Sequence, residues 1–340
     1  MSQPSPMPIP RRVQLRSFAK INLDLRVLHR RSDGFHEIRS LFHTISLADR
    51  MELAFTPGRR LQVSLTCPGV DLPAEQNLAH RAALAFFDRA KVRGALEIRI
   101  LKRIPMGGGL GGGSSNAASM LLALPALTGK RLPLGDLLEL AATLGSDVPF
   151  FLLGGAAIAI GRGEELYPAP NLPPLPGLLV SPGISVSTPE AYRSLARQET
   201  TAASARIVRE FSSQFVSLAE APAQAFHGAK SGSLPGIFAA GVGLGINDFE
   251  GPVFRVHPQL RTWKSRLVRT GAMHAMMSGS GSSVFGLYAT REAAKLAAKE
   301  LPKGNVAEFR LVPRRQYRQA WQRSLRPYSN QLWPPQPQIA

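Results

Sequence analysis

The sequence predicts an α+β protein of two domains, and three observations carry the prediction. A glycine loop lies between a strand-like and a helix-like segment in the first half of the chain. A proline-rich stretch (Pro168, Pro170, Pro173, Pro174 and Pro176) divides the chain near its middle. The second half closes on a strand, a helix over 290–301 and a strand over 306–312. At 340 residues there is material for two separate cores. The expected organisation is a flexible start over 1–12, a first domain over 13–170, a second over 171–312, and a basic, Pro/Gln-rich extension over 313–340.

Taken in chain order, Ala19–Leu25 alternates as a strand, which puts Lys20, Asn22 and Asp24 on one face. Asp33-Gly34 marks a turn. Residues 96–102 alternate apolar and charged side chains, as a half-buried strand does, and the run Pro105-Met106-Gly107-Gly108-Gly109-Leu110-Gly111-Gly112-Gly113-Ser114-Ser115 follows closely. Six glycines in the seven positions 107–113 let bare backbone N–H groups converge on an anion. A helix over 117–127, capped from Ser114–Asn116, adds its dipole behind them. The loop therefore reads as a phosphate cradle, not a linker, because periodic apolar segments flank it tightly.

Neither common glycine motif is met. Gly107, Gly109 and Gly112 satisfy G-x-G-x-x-G, but the acidic residues some twenty positions on, Asp136 and Glu139, fall in a helical pattern and not at a strand end. In the Walker pattern the lysine position is taken by Gly113. Further along, Asp147 precedes Pro149 and reads by itself as a cap on a short helix. A second Gly/Ser loop over 278–283 separates strand-like Met273–Met277 from Val284–Tyr288.

Composition excludes several classes. The single cysteine, Cys67, leaves no intramolecular disulfide or zinc-finger chemistry and fits a reducing cytoplasm. No apolar stretch reaches transmembrane length, and no long-period repeat is present. The net charge of +18 is concentrated at the ends: Arg11, Arg12, Arg16 and Lys20 precede the first acid, and six arginines follow the last. Tyr317, Trp321 and Tyr328 interleave with the later ones, which raises a nucleic-acid or anionic-membrane tail. The preferred expectation is a solvated extension, helical over 316–325, before a disordered end over 333–340.

The glycine loop resembles that of the GHMP kinases, P-x-G-x-G-L-G-[SG]-S-[SA]-A, through Pro105, Gly107, Gly109, Leu110, Gly111 and Ser114-Ser115. Within that superfamily the chain looks like the 4-diphosphocytidyl-2-C-methyl-D-erythritol kinases. The likeness lies in Ala19-Lys20-Ile21-Asn22-Leu23, Arg31-Ser32-Asp33-Gly34-Phe35-His36, Gly145-Ser146-Asp147-Val148-Pro149-Phe150-Phe151, Gly161–Glu164, Asn247–Glu250 and Met277–Gly286. It runs from about residue 17 to 312, and the D-G-F-H element separates this family from homoserine, mevalonate and galactose kinases.

The resemblance implies a ribosomal-protein-S5-like first domain, a ferredoxin-like second domain and an active site in the cleft between them. It implies ATP-dependent phosphorylation of the substrate's 2-hydroxyl, with ATP and Mg²⁺ as cofactors. Asp147 would be the general base, with Lys20 beside it. Residues 105–115 would hold ATP, and Ser115 is a candidate Mg²⁺ ligand. Asn22 and Thr188 would contact the substrate, with Phe35 and Tyr192 sandwiching its cytosine and His36 reading the ring's edge. The partner expected is a small molecule, with no obligate nucleic acid and no membrane span, bound by a monomer or weak homodimer in the cytoplasm.

Overall fold

The computed structural model describes residues 9–195, 245–302 and 304–328, together with 208 and 211. The first eight residues and the end over 333–340, both named above, lie outside the described residues.

Two long strands, β1 (Arg11–Arg30) and β2 (His36–Pro57), pair antiparallel across the turn at Asp33-Gly34. On its other side β2 takes β5 (Ala156–Ile160) at its start and β4 (Gly94–Leu101) at its end, and β3 (Gln62–Thr66) runs parallel to β4. Strand β6 (Glu165–Pro168) pairs with β5 and completes a six-stranded sheet. Helices α1 (Leu78–Ala90), α2 (Gly112–Thr128), α3 (Leu134–Leu144) and α4 (Val148–Leu153) cover it. Helix α2 is buried on nearly every side, as its almost uninterrupted apolar sequence requires.

The second sheet has the order β10-β7-β9-β8, from β7 (Pro176–Val180), β8 (His274–Met277), β9 (Val284–Leu287) and β10 (Val306–Arg310). Beside it lie α5 (Thr188–Ser194), α6 (Glu250–Val256), α7 (Pro258–Arg269) and α8 (Arg291–Glu300). Helix α7 packs on β8 and β9, and α8 packs on β7 and β10. Numbered within this half, the strand order is 4-1-3-2 with helices between 1 and 2 and between 3 and 4, which is the ferredoxin-like arrangement expected. A cluster of buried side chains joins the halves: Ile21 and Ile45 from the first sheet meet Met276 and Phe285 from the second and Leu311 just after β10. Backbone bridges Leu25–Asn247 and Ile45–Leu311 reinforce the junction.

The C-terminal extension departs from expectation. Helix α9 (Arg314–Leu325) is packed, not solvated: Tyr317, Trp321 and Leu325 are buried in the first domain's core. The Tyr317 hydroxyl donates to the Phe151 carbonyl, and Tyr328 brackets the backbone of Arg12. Spacing of four residues lays these side chains along one stripe, which the many arginines of the helix disguise in the sequence. The aromatic residues are consequently not available for stacking on nucleic acid. Among the described residues no helix is long and apolar enough to cross a membrane.

His43 on β2 is wholly buried, and its Nδ1 donates to the Thr44 carbonyl at 2.9 Å. Burial, opposed by that bond and aided by the Arg314 charge, holds the imidazole down at about 4. In the unfolded chain it titrates near 6.5. The stability gained from keeping it neutral is complete above that value and is lost as pH falls from about 6.5 to 4, by up to about 1.4 kcal/mol per pH unit. The expected result is a lower denaturation midpoint at pH 5 than at pH 7, with a smaller difference in His43→Gln. Equal differences in the two proteins would refute it.

Candidate active site

Strand β1 presents Lys20 and Asn22 on the same face, as the period of two requires. The loop between α3 and α4 brings Asp147 opposite. Lys20 Nζ lies 3.4 Å from Asp147 Oδ2, donates to Asn22 Oδ1 at 2.8 Å, and sits 4.7 Å from the centre of the Phe42 ring. Lys20 is 4 % exposed and Asp147 31 %, so the ammonium is anchored inside while the carboxylate faces outward. Asp147 occupies the cap position of α4 without making a side-chain cap bond, which leaves its oxygens for other work.

The glycine loop is fastened beside this pair, since the Lys20 amide donates to the Leu110 carbonyl at 3.1 Å. Gly111 has φ of +67°, and a Cβ there would strike the Phe151 ring at 2.9 Å and approach Lys20 Cγ at 3.3 Å, so glycine permits the close approach. Helix α2 begins earlier than expected, at Gly112, with Gly111 as its cap. Ser114 and Ser115 therefore lie within the first turn and do not cap it. With no side-chain cap, the leading N–H groups remain to meet an anion. Gly107 has open space around it and Met106 is exposed, so the loop's outer side is accessible.

Beneath the loop lies a polar network absent from the sequence-based expectation. Asp49, fully buried, accepts from the amides of Arg103 and Ile104, from Asn116 Nδ2 at 3.0 Å, and from Lys102 Nζ. Ser17 Oγ donates to Ser115 Oγ at 2.8 Å and accepts from Asn116 Nδ2. The Ser115 hydroxyl is thus turned into the interior, 1 % exposed, and bonds within the chain. An amide residue, Asn116, at the head of so apolar a helix was the available signal.

The second Gly/Ser loop closes on the first. Ser278 Oγ donates to the Gly109 carbonyl at 3.0 Å and the Ser283 amide to the Gly108 carbonyl at 3.3 Å. Ser282 bonds the Ile184 carbonyl, and Ser283 Oγ lies 3.3 Å from Ser181 Oγ, so both hydroxyls serve the protein's own structure. Asn247 holds the loop from behind, donating from Nδ2 to the Met277 and Gly279 carbonyls at 2.8 Å each.

A cavity of about 940 Å³ adjoins Asp147, and its lining includes Phe35, His36, Thr188 and Tyr192. The R-x-D-G-F-H-E segment builds its wall. Asp33 accepts from the Phe35 amide and from Arg31, and Arg31 also donates to Glu37, which staples the turn. Phe35 projects outward, 52 % exposed, beneath the Arg162 guanidinium at 4.8 Å. The ring stacked on Tyr192 is that of His36, with centroids 4.8 Å apart and planes at 21°, while Phe249 meets Tyr192 edge-on. The turn places Phe35 at the rim, and His36, opening β2, lies against Tyr192.

Burial, assisted by the Arg30 charge, lowers the His36 pKa, which favours the neutral ring. Burial and the Asp147 charge push the Tyr192 hydroxyl up to about 12. Thr188 Oγ1 lies 2.8 Å from Ser280 Oγ and links the cavity to the second loop. Arg30, Arg162 and Arg193 also line the cavity and were missed in the sequence, where they were lost among many arginines. Asn22 does not line it. At 2 % exposure its amide is engaged by Lys20 on one side and Ser40 on the other.

Residues 77–155 match the GHMP kinases N terminal domain and residues 234–307 the GHMP kinases C terminal domain. A 4-diphosphocytidyl-2-C-methyl-D-erythritol kinase of Solibacter usitatus is 46 % identical over 325 residues, spanning 95 % of this chain and 96 % of its own. One from Thermus thermophilus is 39 % identical over 83 % of this chain and 90 % of its own. A crystal structure of a 4-(cytidine 5'-diphospho)-2C-methyl-D-erythritol kinase superposes with a TM-score of 0.68 at 37 % identity, covering 88 % of this chain and 98 % of that one. The homoserine kinase of Cytophaga hutchinsonii, 19 % identical with a TM-score of 0.65 over 92 % of this chain and 97 % of its own, shares the fold. The glycine loop, the Lys20–Asp147 pair and these likenesses agree, and the chain belongs to the 4-diphosphocytidyl-2-C-methyl-D-erythritol kinase family of the GHMP kinases.

Proposed function

We propose that this chain transfers the γ-phosphoryl group of ATP to the tertiary 2-hydroxyl of 4-diphosphocytidyl-2-C-methyl-D-erythritol, yielding the 2-phosphate and ADP in the non-mevalonate route to isoprenoid precursors. The observation that carries the reading is the placement of Lys20 and Asp147, 3.4 Å apart, with Lys20 fastened to the glycine loop and Asp147 on the lining of the cavity.

Phosphoryl transfer asks a protein mainly for positioning and charge stabilisation. Asp147 Oδ accepts the hydroxyl proton as the oxygen–phosphorus bond forms and the bond to the β-phosphate oxygen breaks. The Lys20 ammonium, 3.4 Å from Asp147 Oδ2, offers a donor to the transferring group. Backbone N–H groups of 107–114 receive the triphosphate, with the α2 dipole behind them. Mg²⁺ would neutralise phosphate charge when bound. Among the described residues no three His, Cys, Asp or Glu side chains gather to hold an ion; phosphate oxygens and water would supply most of its ligands.

On the acceptor side, Phe35, His36 and Tyr192 offer ring faces and a neutral imidazole edge for a cytosine. Arg30, Arg162 and Arg193 suit the diphosphate. Phe35 is half exposed, so Phe35→Ala should fold normally while raising KM for the cytidyl substrate about tenfold or more, the worth of one base stack, with KM for ATP unchanged. Equal rises in both constants would remove its stacking role.

The deciding experiment measures ATP turnover by the purified protein with 4-diphosphocytidyl-2-C-methyl-D-erythritol beside homoserine, mevalonate and galactose. Turnover confined to the cytidyl compound is expected. Turnover with another alcohol alone would leave the kinase fold and discard the cytosine pocket.

A further inference from the structure

Ser40 lies on β2 between Leu25 of β1 and Ala159 of β5, and it is fully buried. It touches neither the cavity nor the glycine loop, yet its hydroxyl closes a chain of bonds that ends at the catalytic pair. Ser40 Oγ lies 2.6 Å from the Asp24 carbonyl oxygen and 2.8 Å from Asn22 Nδ2. The strand register shifts between Asn22 and Asp24, and this carbonyl is accepted into the chain at that irregularity.

The polarity of these contacts follows from proton counting. A carbonyl oxygen only accepts, so the single hydroxyl proton of Ser40 is committed to Asp24. Toward Asn22 the hydroxyl oxygen then has only a lone pair to offer. The Asn22 amide must therefore present its NH₂ to Ser40 and its oxygen to the opposite side. On that side Lys20 Nζ stands 2.8 Å from Asn22 Oδ1. An amide turned the other way would set two donors, NH₂ and ammonium, against each other in a site where Asn22 is 2 % and Lys20 4 % exposed. Two orientations of similar shape thus differ in whether Lys20 is held, and the distant hydroxyl selects between them.

We propose that Ser40 is a positioning residue for the phosphoryl-transfer step: by committing its proton to the Asp24 carbonyl it fixes the orientation of the Asn22 amide, and through it the place of the Lys20 ammonium beside Asp147. The proposal rests on the reading of Lys20 and Asp147 as the catalytic pair.

The test is a double-mutant cycle on the full chain, with kcat and both KM values measured for wild type, Ser40→Ala, Asn22→Ala and the double variant. Ser40→Ala is expected to lower kcat about tenfold, within the range for residues sharing one hydrogen-bond network, with KM for ATP within about twofold. In the Asn22→Ala background the same change should cost less than about twofold, because nothing remains to orient. Ser40→Thr, which keeps the hydroxyl, should restore most of kcat. A Ser40→Ala enzyme with the wild-type kcat, or losses that multiply in the double variant, would overturn the proposal. Should Ser40→Ala fail to fold, Ser40→Cys, close in shape but a weak donor and acceptor, carries the same expectation and the same refutation. Asp147→Asn is assayed beside them: full activity in that variant would overturn the catalytic reading itself, whereas an inactive Asp147→Asn with an unaffected Ser40→Ala would overturn only the role of Ser40.

Discussion

Replacing Asp147 with Asn is expected to lower kcat about 100- to 10,000-fold, the span associated with losing one general base, and to leave ATP binding largely intact. The amide matches the carboxylate in shape, and Asp147 makes no cap bond on α4 that the exchange would break. What is lost is the ability to take the hydroxyl proton and the charge 3.4 Å from Lys20 Nζ. On the proposed reading, nucleotide affinity rests with the glycine loop and the α2 N-terminus, which the substitution does not touch. Steady-state kinetics and a direct ATP-binding titration on the same preparation separate the two effects. A variant that turns over at the wild-type rate removes Asp147 from the chemistry, and one that loses ATP binding in proportion assigns it to the nucleotide instead.

Gly109→Ala is expected to be nearly as damaging, for a steric reason. Gly109 has φ of +74°, and a Cβ there would fall 2.0 Å from the Ser278 carbonyl oxygen, a backbone atom that cannot swing aside. The left-handed conformation costs a non-glycine residue roughly 1–2 kcal/mol, and the clash forces the two loops apart. Ser278 Oγ and the Ser283 amide would then lose the Gly109 and Gly108 carbonyls, and the phosphate loop would lose its support from the second domain. Displacement of about 1 Å at a positioning element is enough for a hundredfold loss of rate. The expected result is a fall in kcat/KM for ATP of about that size together with a lower melting temperature. An alanine variant with unchanged kinetics would show that the interlock of the two loops does not position the nucleotide. Gly107→Ala, where no atom lies within 4 Å of the added methyl, should be milder and controls for backbone strain alone.

Local patterns read well where each residue's task is settled by its immediate neighbours. The alternation around Lys20, the turn at Asp33-Gly34, the strand before the glycine loop and the closing strand–helix–strand all appear where the sequence puts them. Boundaries read less well: the long helix starts at Gly112, after a left-handed Gly111 whose place has no room for a Cβ beside Phe151 and Lys20. Composition misled at the C-terminus, where the count of arginines outweighed a four-residue spacing of Tyr317, Trp321 and Leu325.

By itself the sequence determined the two-domain α+β order, the glycine loop between strand and helix, and the candidate pair of Lys20 and Asp147 with the aromatic residues of the cavity, because strand period, glycine content and ordered motifs are properties of short stretches. Tertiary structure alone decided which polar groups spend their bonds inside the protein. Ser115 turns to Ser17, Asn22 lies between Lys20 and Ser40, and His36 stacks on Tyr192 while Phe35 stands at the rim. A buried hydroxyl or amide must find a partner at hydrogen-bond distance, and in this fold those partners come from strands and loops that no linear spacing brings together.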